Sequence, residues 1–173
     1  MSDVDKASIS VVPNMLRVVG RDAHYDEDVE ISINLTQAFM ECGELNSAEV
    51  ALNRSKHVLE TSRIHVSSLY RIEVNAQFAG IKLLRGNYNE AYGNFREILS
   101  KLDEEQSDVC IRMELERWIA ISLIYQGKYS DAATILKYLM TTSDTAGSSK
   151  IETAEFQVRR DLAFTYACLG NYS

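Results

Sequence analysis

The side chains able to do chemistry are few and scattered along this chain. The three histidines, His24, His57 and His65, fall in different segments. They show no His-Glu-x-x-His spacing and no cysteine or carboxylate partner at metal-ligand intervals, so they read as surface or turn histidines rather than ligands. Cys42, Cys110 and Cys168 are odd in number, far apart and form no Cys-x-x-Cys pair. Neither a zinc site nor a disulfide framework follows, and the thiols suit a reducing compartment. Serine is plentiful, yet no Gly-x-Ser-x-Gly presents one as a nucleophile beside a base and an oxyanion pocket. Asp103, Glu104 and Glu105 read as a solvated link, and Asp26, Glu27 and Asp28 as favourable charge at a helix N-terminus. The expectation is a protein that is not an enzyme and holds no metal and no cofactor.

Glycine builds no phosphate loop or dinucleotide turn here either. Gly43-Glu44-Leu45-Asn46-Ser47-Ala48, Gly86-Asn87-Tyr88-Asn89-Glu90-Ala91, Gly127-Lys128-Tyr129-Ser130-Asp131-Ala132 and the shorter Gly170-Asn171-Tyr172-Ser173 repeat one theme. A glycine is followed by an apolar residue two positions on and an alanine five on, at intervals of 86−43 = 43, 127−86 = 41 and 170−127 = 43. A fixed period of this size marks a solenoid, whose units bury their apolar faces only against their neighbours. The function of such a surface is binding.

With 173 residues and 46% hydrophobic content the chain is long enough for one continuous core, so disorder of the whole is not expected. The balance of 18 Lys and Arg against 25 Asp and Glu gives a net charge of −7 and a pI near 5.0. That opposes attraction to phosphate backbones or anionic lipid, so nucleic acid and membrane are not expected partners. No apolar run approaches the roughly 18 to 20 residues that span a bilayer, and the first residues lack the basic and apolar regions of a signal peptide. The expected location is intracellular, cytoplasmic or nuclear.

A single proline, Pro13, and the lack of long alternating β-branched runs leave helices nothing to interrupt them but the recurring glycines. The expected fold class is all-α. In unit one, Ile31, Leu35, Ala38 and Phe39 recur at helical spacing before Gly43. Ala48, Ala51, Leu52, Val58 and Leu59 then continue from Asn46 to about Thr61 as an antiparallel second helix. Units two and three repeat the scheme around Gly86 and Gly127, and unit four supplies a first helix from about Lys150 to Leu169. The units run over about 29–70, 71–112, 113–154 and, in part, 155–173. An N-terminal segment, 1–28, precedes them, with Met1 to Ser8 expected to be disordered. In it Pro13 is placed to open a short helix through Met15, Leu16, Val18 and Val19, stopped by Gly20, which reads either as an N-terminal cap or as the remnant of a preceding second helix. The stretch from Ser143 to Ser149 is the expected flexible link. Ala79, Ala120 and Ala163, seven residues before a glycine, and Ala48, Ala91 and Ala132, five after one, let paired helices approach closely.

This pattern resembles the tetratricopeptide repeat: a small residue on the first helix, Gly before the turn, Tyr two later, then Ala and a large apolar residue on the second helix. The likeness covers roughly residues 29 to 173. The long period is similar to that of kinesin light chain-type repeats, and Gly20-Arg21-Asp22-Ala23-His24-Tyr25-Asp26 followed by Ile33-Asn34-Leu35 resembles their link and helix start, with Ala23 inserted and Tyr25 in place of a proline. The resemblance implies a right-handed superhelix of about three and a half units whose first helices line a concave groove.

On that implied geometry, the groove-facing positions lie ten and six residues before each glycine: Ile33 and Gln37, Ala76 and Gly80, Arg117 and Ile121, Arg160 and Phe164. Arg117 and Arg160 share a register and form a pair that can hold an acidic linear motif by paired hydrogen bonds. The alternative is internal neutralisation by Glu114, Glu116 or Asp161. Tyr125 and Gln37 supply further contacts, and Asn34 falls where related superhelices bind ligand backbone. A carboxylate clamp for chaperone tails is not expected, because Ile33, Gln37, Glu114 and Trp118 occupy its positions. Trp118 is expected to pack between repeats.

At the C-terminal end, Leu162, Tyr166 and Leu169 are expected to lie uncovered and to support self-association; either the natural protein continues past Ser173 or another chain completes the stack, and the first is the preferred reading. The function these readings imply is a protein–protein interaction adaptor or scaffold binding a peptide or helical segment of a partner. The alternative is an architectural subunit of a stable complex that wraps a long extended partner.

Overall fold

The computed structural model describes residues 27–61, 68–104, 109–143 and 149–170. Among them are seven helices and no strand: α1 (Glu27–Glu41), α2 (Leu45–Thr61), α3 (Ser68–Leu84), α4 (Tyr88–Glu104), α5 (Val109–Tyr125), α6 (Tyr129–Ser143) and α7 (Ser149–Cys168). The chain is all-α over this span, as its periodicity implied. The short helix expected from Pro13, the first eight residues, His24, His65, Glu105, the core of the Ser143-to-Ser149 link and Tyr172 lie outside the described residues.

Each recurring glycine ends a helix by the same local chemistry. Gly43, Gly86, Gly127 and Gly170 have φ of 78°, 84°, 74° and 73°, a left-handed conformation that a Cβ disfavours. In the first three, the N–H of the residue after glycine donates back to a carbonyl five residues earlier: Glu44 to Phe39 (2.8 Å), Asn87 to Lys82 (2.9 Å) and Lys128 to Leu123 (2.9 Å). The glycine N–H donates to the carbonyl three before it, closing a Schellman cap. The carbonyl of that same following residue then accepts from Ala48, Ala91 or Ala132. One residue thus closes the first helix and opens the second, which fixes the glycine-to-alanine spacing of five.

These turns fold α1 on α2, α3 on α4 and α5 on α6, and each second helix packs on the next first helix. Ala48, Ala91, Ala132, Ala79 and Ala120 are fully buried, so backbones meet across methyl groups. In unit one Thr36 takes the place of the alanine; its hydroxyl donates to the Ser32 carbonyl at 2.7 Å. Ala163, expected in the same role, is exposed, because no described helix follows α7. Consecutive pairs are also tied turn to turn. Arg85, just before Gly86, reaches Glu49 at 2.7 Å and Asn46 at 2.9 Å, while Gln126, just before Gly127, donates to the Tyr88 carbonyl at 3.2 Å.

Two glycines make opposite predictions. A Cβ at Gly127 meets nothing within 4 Å, so the cost of Gly127→Ala is conformational, about 1 kcal/mol of lost stability. Gly93 lies inside α4, without positive φ and with equally open surroundings. There Gly93→Ala removes unfolded-state entropy and is expected to stabilise by about 0.5–1 kcal/mol. Denaturant midpoints of the two variants should move in opposite directions.

Candidate functional site

Burial sorts the residues expected to meet a partner. At the registers ten and six before each glycine, Ile33, Ala76, Arg117 and Ile121 are buried, and so is Gly80. These positions point between neighbouring helices, since α1 lies against α3 and α5 against α7. Arg117 and Ile121 are therefore core residues, which corrects their placement in an open groove. Asn34 is exposed and Gln37 half-buried, the Gln37 amide donating to Glu41 at 3.3 Å. Tyr125 and Phe164 are exposed by 38% and 40%, and the Arg160 side chain by 36%.

Arg117 is not a free cation. Its side chain is 1% exposed and its Nε donates to Asp161 Oδ2 at 2.8 Å, across from α5 to α7. Its Nη1 donates to Glu114 Oε1 at 3.1 Å, one turn back on α5. Glu114 also accepts from the Trp118 indole N–H at 2.8 Å, and the Arg117 guanidinium stands 5.5 Å from the centre of the Trp118 rings. Two of the three carboxylates able to neutralise Arg117 do so, while Glu116 pairs with Arg112. Burial pushes the Glu114 carboxyl above its ordinary range, against the pull of Arg117 and the indole N–H and with a smaller push from Asp161. Arg117 Nη2, Ser55 Oγ and both amide atoms of Gln77 are buried with no hydrogen-bond partner among the described residues.

Trp118 does pack between helix pairs, as expected: its rings stack on Phe95 of α4 at 6.1 Å. Tyr125, near the end of α5, stacks on Tyr88 of α4 with centroids 5.1 Å apart. Burial raises the pKa of its hydroxyl, and the neighbouring Tyr88 and the charge of Asp161 add to the shift. Asp161 is thus the hub of the α5–α7 end. Its Oδ1 lies 3.4 Å from both Nε and Nη2 of Arg160, and Phe164 stands one turn further along α7. Arg160 touches the buried ion pair through Asp161, Phe164 follows it by one turn of α7, and Tyr125 near the end of α5 feels the Asp161 charge, whereas Asn34 and Gln37 lie on α1, at the other end of the helix series.

The end face of α7 also differs from expectation. Leu162 is buried, and Tyr166 and Leu169 pack half-buried against the core, with Lys137 of α6 lying 5.2 Å over the Tyr166 ring. The open side of α7 instead carries Phe156, 68% exposed, with Ala163 and Ala167. Phe156 shares the register of Val29 and Met113, which are buried.

The glycine spacing also carries a carboxylate register. Glu30, Glu73 and Glu114 all stand 13 residues before their glycines (43−30, 86−73, 127−114), giving one carboxylate register on three consecutive first helices. Glu73 is 4% exposed. Subtracting one constant from each glycine position would have found it.

No group of three or more His, Cys, Asp or Glu among the described residues is arranged to hold a metal ion. None of the described helices is long and apolar enough to cross a membrane. In comparisons with known proteins the chain matches no family model, no curated protein and no solved structure.

Proposed function

We propose that the chain is a protein–protein interaction module of tetratricopeptide type, which binds a peptide or helical segment of a partner across the face of its first helices. The observation that carries this reading is the group of Tyr125, Arg160 and Phe164 at the α5–α7 end. Two exposed aromatic rings and a partly open guanidinium are the side chains that most often anchor a protein interface. Tyr125 is held by its stack on Tyr88, so little side-chain freedom is lost when a partner covers it. Arg160 is the guanidinium left for an acidic residue of the partner, because Arg117 is consumed inside the fold. The three in-phase glycine-capped helix hairpins support the same reading.

The test is affinity capture from cell lysate, with the wild-type chain beside a Tyr125→Ala, Phe164→Ala, Arg160→Glu variant. Anchors of this kind contribute about 2 kcal/mol each, so the partner should be lost from the variant, whose retained fold is checked by its helical circular dichroism and by the emission of the buried Trp118. A partner retained by both chains moves the site to another face and removes this reading of the α5–α7 end.

A further inference from the structure

The apolar face of α1 is open where its counterparts are closed. Twelve residues before the glycines stand Ile31, Val74, Leu115 and Val158, and eight before them stand Leu35, Phe78, Ile119 and Leu162. Every one of these is apolar. Val74, Leu115, Val158, Ile119 and Leu162 are buried and Phe78 is packed against the core. Ile31 is 59% and Leu35 45% exposed.

What closes the later registers is the second helix of the preceding pair: α2 packs on α3, α4 on α5 and α6 on α7. No described helix stands in that position before α1. Ile31, Leu35 and Phe39 of α1, with Val50 and Ala51 of α2, instead line an apolar groove of about 500 Å³. Val50 is particular to this pair. Gly93 and Thr134 hold its register in the later pairs, so the groove has an apolar wall on α2 that the others lack.

We propose that this groove is covered by the chain's own residues 13–19, which take the place of a preceding second helix. Met15, Leu16, Val18 and Val19 follow Pro13, an apolar set at helical spacing behind a residue suited to the first helical position. Residues 20–26 then lead directly into α1. That connection of seven residues belongs with the links of six, four and five (62–67, 105–108 and 144–148) between each second helix and the next first helix. The lengths also agree: from Ile31 to Phe39 is about 12 Å of helix, and seven helical residues extend about 10 Å. The occupant is local in sequence, so its docking costs little loop-closure entropy compared with recruiting another molecule.

The experiment uses the full chain carrying Leu35→Cys and Cys42→Ser, with alkylation of the introduced thiol followed by peptide mass spectrometry. Cys168, exposed in the structure, is the internal reference. The thiol at position 35 should react at least about tenfold more slowly than in the same chain carrying Met15→Asp and Leu16→Asp. Its protection should survive about hundredfold dilution, as an intramolecular contact must. The emission of the single tryptophan reports that the α4–α5 core is intact in both chains. Labelling at position 35 as fast as at Cys168 in the unaltered N-terminus overturns the proposal without recourse to the variant. Protection that persists with the two aspartates also overturns it, and so does protection lost on dilution, which would assign the groove to a second copy.

Discussion

Asp161→Ala is expected to lower stability by about 3–5 kcal/mol, because it leaves the Arg117 guanidinium buried without its closest counter-charge. Arg117 is 1% and Asp161 2% exposed, and their contact is 2.8 Å, so water cannot replace the lost carboxylate. In a chain of this size the melting temperature should fall by about 10 °C or more. Arg160→Ala removes a longer, partly exposed contact to the same aspartate and should cost at most about 1 kcal/mol. Replacing the whole charged set, as Arg117→Met with Asp161→Leu and Glu114→Gln, should recover much of the loss, since no charge is then left stranded between α5 and α7. A triple variant no more stable than Asp161→Ala would show that the cost lies in packing rather than in charge.

The same network sets a pH dependence. The Glu114 carboxyl has an ordinary value near 4.5 that is raised in the folded chain, chiefly by burial. The folded state therefore holds this proton to higher pH than the unfolded state. The stabilisation linked to it is fully present below the ordinary carboxylate range and is lost as pH rises through the raised folded value. Glu114→Gln should remove that part of the slope, which a series of urea midpoints across the interval would measure.

The second large effect is expected at Trp118. Trp118→Ala deletes a side chain that is 1% exposed, stacked on Phe95 and hydrogen-bonded to Glu114. Loss of a buried aromatic of this size costs about 3–5 kcal/mol, through the cavity left as well as the lost transfer energy. Trp118→Phe keeps a ring against Phe95 but takes a donor from Glu114, and should fall between alanine and wild type. Because Trp118 and Asp161 both act on the Glu114–Arg117 pair, their effects should not add. Calorimetry of the single and double variants would give the coupling, and strict additivity would refute the shared network.

The parts of this protein legible in its sequence are those set by local chemistry. A left-handed glycine, a carbonyl accepting from the alanine five residues on and apolar side chains every three or four positions are requirements of a single turn or helix face. They appear in the chain as spacing, so the four glycine turns and the seven helices follow from it closely. The small residues at the hairpin contacts follow for the same reason. Glu30, Glu73 and Glu114 were equally accessible through the same subtraction.

Environment was not legible, because equivalence of position is not equivalence of surroundings. Arg117 and Arg160 share a register, yet one is buried in a salt bridge and the other is open by about a third. The difference arises because α5 is packed by α4, α6 and α7, whereas α7 meets α6 and α5. Likewise Ile31 and Val74 share a register, yet among the described residues α2 lies across Val74 and no helix lies across Ile31. Repetition in the chain therefore specified the turns, the helices and their apolar faces. The packing of helices on one another decided which side chains a partner can touch, since burial is a property of neighbours that no single helix encodes.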